Sequence, residues 1–197
     1  MRSLSQRTAR AIEAIDAANA DDPTLVAVRG ADHPLAQIHG TLAYEWVLHL
    51  HPDADDTWLL AARAHHLRRW ELARSDYDPG KAGYLRWKRD QRQRHARDVA
   101  VLLVDHDFDS ATIERVQALV RRDNLAVDAG SQAIEDAACL AFVETQLADV
   151  ATKLDRAHLI DVLRKTARKM TPAGAAAIAL IPLADAEQQL LVDALGA

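Results

Sequence analysis

The 197-residue chain holds a single cysteine, Cys139. One thiol can form neither an internal disulfide framework nor a cysteine-based zinc ribbon, and inside an apolar run its ordinary role is that of a buried structural side chain. Glycine and proline are scarce as well, at 7 and 6 residues. With so few breakers, and with alanine, leucine and arginine abundant, the chain has helical propensity almost throughout. Long apolar runs are missing too. The longest uncharged stretch, residues 170–184, is interrupted by Pro172 and Pro182 and falls short of a membrane span. The first twenty residues lack an apolar core of signal-peptide length, so a reduced, cytoplasmic setting is expected. There is no phosphate-binding glycine loop and no Gly-x-Ser-x-Gly turn, which leaves nucleophilic serine chemistry without support.

What is present points to one compact helical domain. Hydrophobic residues make up 49% and charged residues 27%, the balance of a folded globular protein rather than a disordered or fibrous one. The length suits one domain, residues 1–197, with a single core. Apolar residues recurring at three and four predict helices over about 4–19, 35–50, 56–71, 81–105 and 110–122. Asp21-Asp22-Pro23 ends the first, a loop runs through Gly30 to Pro34, and His51-Pro52 stops the second. Asp53 or Asp55 can cap the third. Ser131 is a natural cap for a sixth helix that buries Ile134, Ala137, Ala138, Leu140 and Ala141. Leu159, Ile160, Val162 and Leu163 mark a seventh; Thr171-Pro172 starts a last one that Gly196 closes. The expected architecture is an all-α bundle of about eight helices with short loops, and no repeat or linker interrupts it.

The net charge of −5 conceals an asymmetry. Residues 63–97 carry 11 Lys and Arg against 4 Asp and Glu, so the rest of the chain is strongly acidic. A short basic stripe on an acidic protein suits a confined anionic ligand better than a long polyanion. Its guanidinium groups, on Arg63, Arg68, Arg69, Arg74 and Arg86, fork in the way that phosphate oxygens accept. Lys81 and Lys88 lie in the same window, as do Trp70, Tyr77, Tyr84 and Trp87, whose faces can stack on a base. The competing reading of these aromatic residues is plain packing, and of these arginines a solvated face.

The segment Ala61-Ala-Arg-Ala-His-His-Leu-Arg-Arg-Trp70 puts two adjacent imidazoles in an apolar run. Neighbouring helical residues are turned by about 100°, so His65 and His66 straddle one helix edge and can both reach a group beside it. His39 precedes them in the second helix and His95 follows in the fourth. Asp136, in Glu135-Asp-Ala-Ala-Cys-Leu140, is a carboxylate in an otherwise apolar helix, costly unless paired, hydrogen-bonded or metal-bound. Of the other histidines, His33, His49, His51, His106 and His158 read as surface residues.

The order His39, His65-His66, His95, Asp136 over successive helices resembles the HD-domain superfamily of metal-dependent phosphohydrolases, across about residues 35–145. The C-terminal helices, 155–196, would pack on that core. The resemblance implies a divalent metal (Mn, Mg, Fe or Zn) held by some of His39, His65, His66, His95 and Asp136. Glu71 lies close to the position of a glutamate that assists the attacking water, so the implied catalytic pair is Glu71 and Asp136. Two departures stand out. His66 occupies the place of the superfamily's aspartate, and Leu119-Val-Arg-Arg-Asp-Asn124 replaces the second histidine pair of the two-metal branches, which leaves one metal at most.

A closer likeness runs over nearly the whole chain. Ala61–Trp70, Gly83-Tyr-Leu-Arg-Trp87, Thr112-Ile-Glu-Arg-Val-Gln117, Gln132-Ala-Ile-Glu-Asp136, Leu163-Arg-Lys-Thr166 and Lys169-Met170 resemble the domain-of-unknown-function 4202 family. The expected function is hydrolysis of a nucleotide or related phosphate ester by a single metal-activated water. The alternative is a non-catalytic module that binds a phosphate ligand or an RNA end and holds no metal. An HD-type iron oxygenase is a third reading.

Overall fold

A computed structural model describes residues 4–196, and the protein is all-α as expected. Among the described residues there are nine α-helices: α1 Gln6–Asn19, α2 Leu35–Leu50, α3 Asp56–Ala64, α4 Gly80–Asp105, α5 Ser110–Arg121, α6 Ala129–Lys153, α7 Arg156–Ala167, α8 Pro172–Ala177 and α9 Asp185–Leu195. None of them is long and apolar enough to cross a membrane. Short α3 is the centre of the bundle, with Leu59, Leu60, Ala61, Ala62 and Ala64 all buried. It lies against α1, α2, α5 and α6, and α2 in turn packs along α6. The face predicted for α6 is buried through Ile134, Ala137, Leu140 and Ala141, while Ala138 stays partly exposed.

The differences from expectation have local causes. The segment read as a loop before α2 forms an antiparallel hairpin, β1 Leu25–Val28 and β2 Ala31–Pro34, in the register Leu25↔Pro34 and Val28↔Ala31. Its two-residue turn, Arg29-Gly30, has both φ angles positive (51° and 85°), the geometry that matches strand twist. Helix α3 stops at Ala64, short of residue 71. Arg68 takes a left-handed conformation (φ 49°) while its N–H donates to Asn19 Oδ1 at 2.9 Å. Two 3-10 turns, Arg69–Glu71 and Arg74–Asp76, then lead into α4.

Asp55 caps α3, accepting from the Thr57 and Trp58 amides. The cap of α6 is Asp128 rather than Ser131, because Asp128 accepts from the Ser131 amide while the Ser131 hydroxyl donates to Asp123 O. Thr171 caps α8 before Pro172 as expected, but Pro182 divides the last helical stretch into α8, a 3-10 turn Ile178–Leu180 and α9, closed by Gly196 at φ 73°.

Asp128 is also held by both terminal nitrogens of Arg115, at 2.5 and 3.1 Å, so one carboxylate caps α6 and ties it to α5. The Arg115 hydrogen bond is the largest influence holding this carboxyl below its ordinary value. Its contribution is therefore complete above the unfolded value of about 4 and lost as pH falls through the lowered folded value. Asp128→Ala is expected to cost about 1–2 kcal/mol in urea denaturation at pH 7. The deficit should shrink when the same titration is run in acid.

Candidate functional site

Helices α2 and α3 approach closely at one glycine. A β-carbon built on Gly40 would lie 2.5 Å from the Arg63 carbonyl oxygen, nearer than real β-carbons come. The residue before it is His39, and two residues after Arg63 come His65 and His66. The close approach brings the three imidazoles into one cluster. The ring centroids of His39 and His66 are 4.6 Å apart, those of His65 and His66 4.2 Å, and His95 from α4 lies 6.1 Å from His66. One ligating atom from each of His39, His65 and His66 lies within 4.8 Å of the others, near enough to share a cation once the rings turn. Among the described residues this is the one such group of three, and neither His95 nor Asp136 belongs to it.

Hydrogen bonds around the cluster fix which ring nitrogen carries the proton in His65 and His95. A carbonyl only accepts, so His65 donates through Nδ1 to Ala62 O (2.8 Å) and His95 through Nδ1 to Leu67 O (2.7 Å). Each Nε2 is then a bare lone pair, and both are buried without a hydrogen-bond partner. His39 Nε2 lies 2.8 Å from the Thr145 hydroxyl and 3.1 Å from the amide nitrogen of Gln146, which only donates, while its Nδ1 is buried without a hydrogen-bond partner. Nδ1 of His66 is likewise buried and unpartnered.

Burial pushes all four rings toward the neutral form: His39 and His95 to about 3, His65 and His66 well below the ordinary value. The next influence is the positive field of Arg69 on His39 and His95, Arg122 on His65, and the neighbouring His65 on His66. Neutral imidazole with one nitrogen tied outward and a lone pair facing in is the ligand form of histidine. The donor set fits a divalent cation.

Arg122, buried, and Arg69, partly buried, flank the cluster and differ in one respect. Arg122 is matched by Glu135, its Nε 3.3 Å from the carboxylate, which also receives Arg92 at 3.2 Å. Arg69 stacks on Trp87, 4.6 Å from the ring centroid, and among the described residues forms no ion pair. Burial lowers its pKa, opposed by the Tyr84 and Asp22 fields. The loop that carries it is fastened to α4. Gln91 donates to the Arg69 and Leu72 carbonyls at 2.8 and 2.9 Å, and Trp87 donates to Leu72 O at 3.0 Å.

Several residues expected at the site are engaged elsewhere. Asp136 accepts from Gln132 and the Thr171 amide at Oδ1 (2.8 and 3.1 Å) and from the Thr171 hydroxyl at Oδ2 (2.5 Å), so it fastens α8 to α6. Glu71 is exposed and paired with Arg94. Arg63 is committed to Asp16 through two bonds of 2.5 and 2.6 Å, and Arg74 donates to the carbonyls of Tyr77 and Asp78. Tyr84 is exposed, 5.9 Å from Trp87; Arg86 is exposed, and Arg68 and Trp70 are partly buried. Gly40, Thr145, Gln91 and the Arg122–Glu135 pair were not singled out in the sequence. Of these only Gly40 carries a signal, as a lone glycine inside a helical pattern.

Two substitutions separate the cluster from the anchor. Gly40→Ala is expected to cost about 1–3 kcal/mol, because α2 and α3 must part to admit the methyl group, and to widen the imidazole cluster; urea denaturation and histidine NMR shifts measure the two effects. Asp136→Ala is expected to loosen the C-terminal helices, read by limited proteolysis, and to leave the imidazole resonances in place.

No curated protein and no solved structure matches the chain. A family model described as a domain of unknown function, DUF4202, matches residues 9–191. The match covers the cluster, the arginine-bearing loop and the Asp136 anchor alike, and the chain belongs to the DUF4202 family.

Proposed function

We propose that the protein is a metal-dependent phosphohydrolase acting on a nucleotide or related phosphate ester, with one divalent ion held by His39, His65 and His66. The observation that carries this is the set of buried, unpartnered nitrogens on neutral rings, bare on His65 and His95, beside an arginine without an ion pair. Burying such lone pairs is costly unless something binds them. An all-imidazole set suits zinc or iron better than magnesium or manganese, which prefer oxygen ligands. When bound, the ion supplies a Lewis acid that lowers the pKa of a water and polarises a phosphoryl oxygen.

The chain's own residues supply the rest. Arg69, held over the Trp87 ring, offers its fork to the oxygens of a phosphoryl group. His95 keeps Nε2 bare by donating from Nδ1 to Leu67 O, so it can accept a hydrogen bond from the attacking water. That role falls to His95 because Glu71 is paired with Arg94 on the surface. A second reading, a phosphate-binding module without catalysis, is favoured by one observation: both carboxylates expected at the site, Glu71 and Asp136, are engaged elsewhere.

Metal analysis of protein purified without added salts tests the proposal. The expected result is about one equivalent of zinc or iron, falling to about a tenth or less in His39→Ala and His65→Ala, with unchanged content in Asp136→Ala. Release of phosphate from a panel of nucleotides should follow the metal content. Less than about a tenth of an equivalent in the native protein, with no hydrolysis on adding zinc or iron, overturns it.

A further inference from the structure

Helix α4 changes character along its length. Leu103, Val99 and Ala96, spaced three and four apart, form its buried stripe, and the same spacing carried toward the N-terminus falls on Arg92, Lys88 and Leu85. There the stripe runs past the bundle. These three residues line a groove of about 240 Å³ against the C-terminal end of α5, together with Arg89, Arg121 and Asp123 among others. Cations on the continuation of a core-facing stripe differ from the outward polar face that a bundle helix ordinarily carries.

In the groove Arg121 is matched by Asp123 at 2.8 Å, Arg89 by Asp90 at 2.9 Å and Arg92 by Glu135 at 3.2 Å. Lys88 is partly buried, its ammonium lies 5.5 Å from the Tyr84 ring centroid, and among the described residues it has no hydrogen bond or ion pair. The cations continue outside the groove. Lys81, Leu85, Arg89, Gln93 and Arg97 succeed one another at four-residue steps, an inclined ridge of exposed side chains that shares Leu85, Arg89 and Gln93 with the groove wall. Lys81, Arg86 and Arg97 are exposed and have no ion pair among the described residues. From Lys81 to Arg97 the one carboxylate is Asp90.

At the 1.5 Å rise of a helix, Lys81 and Arg97 stand about 24 Å apart, too far for one phosphate to answer both. A duplex takes a protruding helix into its major groove, whereas here the cations border a recess and α4 is packed against α1, α3 and α5. A single strand fits a recess, and its unstacked bases can use an aromatic face. Tyr84, 44% exposed, offers one beside Lys88. An acidic peptide would answer the charge but not the ring.

We infer that the α4–α5 groove and the ridge beside it bind single-stranded nucleic acid, with phosphates met by Lys88 in the groove and by Lys81, Arg86 and Arg97 along the ridge, and a base stacked on Tyr84. Phosphates and a base face are common to RNA and DNA. The surface goes beyond the proposed function and does not rest on it, because no imidazole of the cluster takes part.

Fluorescence anisotropy with labelled twelve-nucleotide oligo-U and oligo-dT tests the surface, against a DNA duplex of the same length and a twelve-residue polyglutamate. At least one single strand is expected to bind below about 10 µM at about 50 mM salt, about tenfold or more tightly than the duplex and the polyglutamate. With four unpaired cations engaged, log K should fall against log salt with a slope of about −3. Lys88→Gln should make that slope shallower by about 0.7, and Lys81→Gln combined with Arg86→Gln by about 1.4. Tyr84→Ala should weaken binding about fivefold or more. Arg10→Gln, which removes the same charge from exposed α1, should change neither. No single strand binding below about 100 µM, equal binding of the duplex or the polyglutamate, or α4 variants that behave like Arg10→Gln would overturn the inference. None of these readouts involves a metal, so the metal analysis judges the hydrolase separately.

Discussion

Everything at the candidate site depends on how closely two helices can pack. At Gly40 the backbone of α2 comes so near the Arg63 carbonyl that no β-carbon fits, and His39 sits immediately before that contact. On the other side α3 ends at Ala64, so His65 and His66 lie at its C-terminal edge, where the chain turns away. The turn is itself determined by distant polar groups. Asn19 of α1 takes the Arg68 amide, His95 takes the Leu67 carbonyl, and Gln91 takes those of Arg69 and Leu72. Backbone groups that would be orphaned at a helix end are answered by side chains from α1 and α4, and the same bonds aim the histidines.

The electrostatics follow from that enclosure. Four imidazoles drawn out of water cannot all be charged, and two arginines nearby make protonation harder still. Cys139 responds to the same burial in the opposite sense, its thiol pushed up to about 12 and so kept unreactive. Arg122 is answered by Glu135, so it belongs to the scaffold. Arg69 is braced by an aromatic face and, among the described residues, forms no ion pair. A neutral donor cluster beside an unanswered guanidinium is chemically asymmetric: one half suits a cation, the other an anion. In the proposed function a divalent ion would answer the first half and a phosphate ester the second.

Much of the fold was legible because helices announce themselves by period and punctuation. Thr171-Pro172 and Gly196 mark ends by chemistry that tertiary structure did not override. The hairpin was not legible, since four-residue strands are too short for alternation to register, and Arg29-Gly30 is a less familiar turn pair than Asn-Gly. Nor was the end of α3, which is set by Asn19, a residue 49 positions away in sequence from Arg68. The histidines were found because imidazoles in an alanine-rich run are conspicuous. Asp136 was found for the same reason, yet a buried carboxylate has more than one way to be satisfied, and the hydroxyl and amide of Thr171 satisfy this one. Arginine counts located the stripe but could not separate Arg63 and Arg74, which serve the scaffold, from Arg69, which does not.

The central claim is that the buried rings present bare nitrogens to a common point. Long-range proton–nitrogen NMR of the histidine rings reads it directly, before and after one equivalent of zinc. The account requires Nδ1–H tautomers for His65 and His95 at neutral pH, with zinc shifting His65 Nε2. Opposite tautomers, charged rings, or nitrogen resonances indifferent to zinc would contradict it.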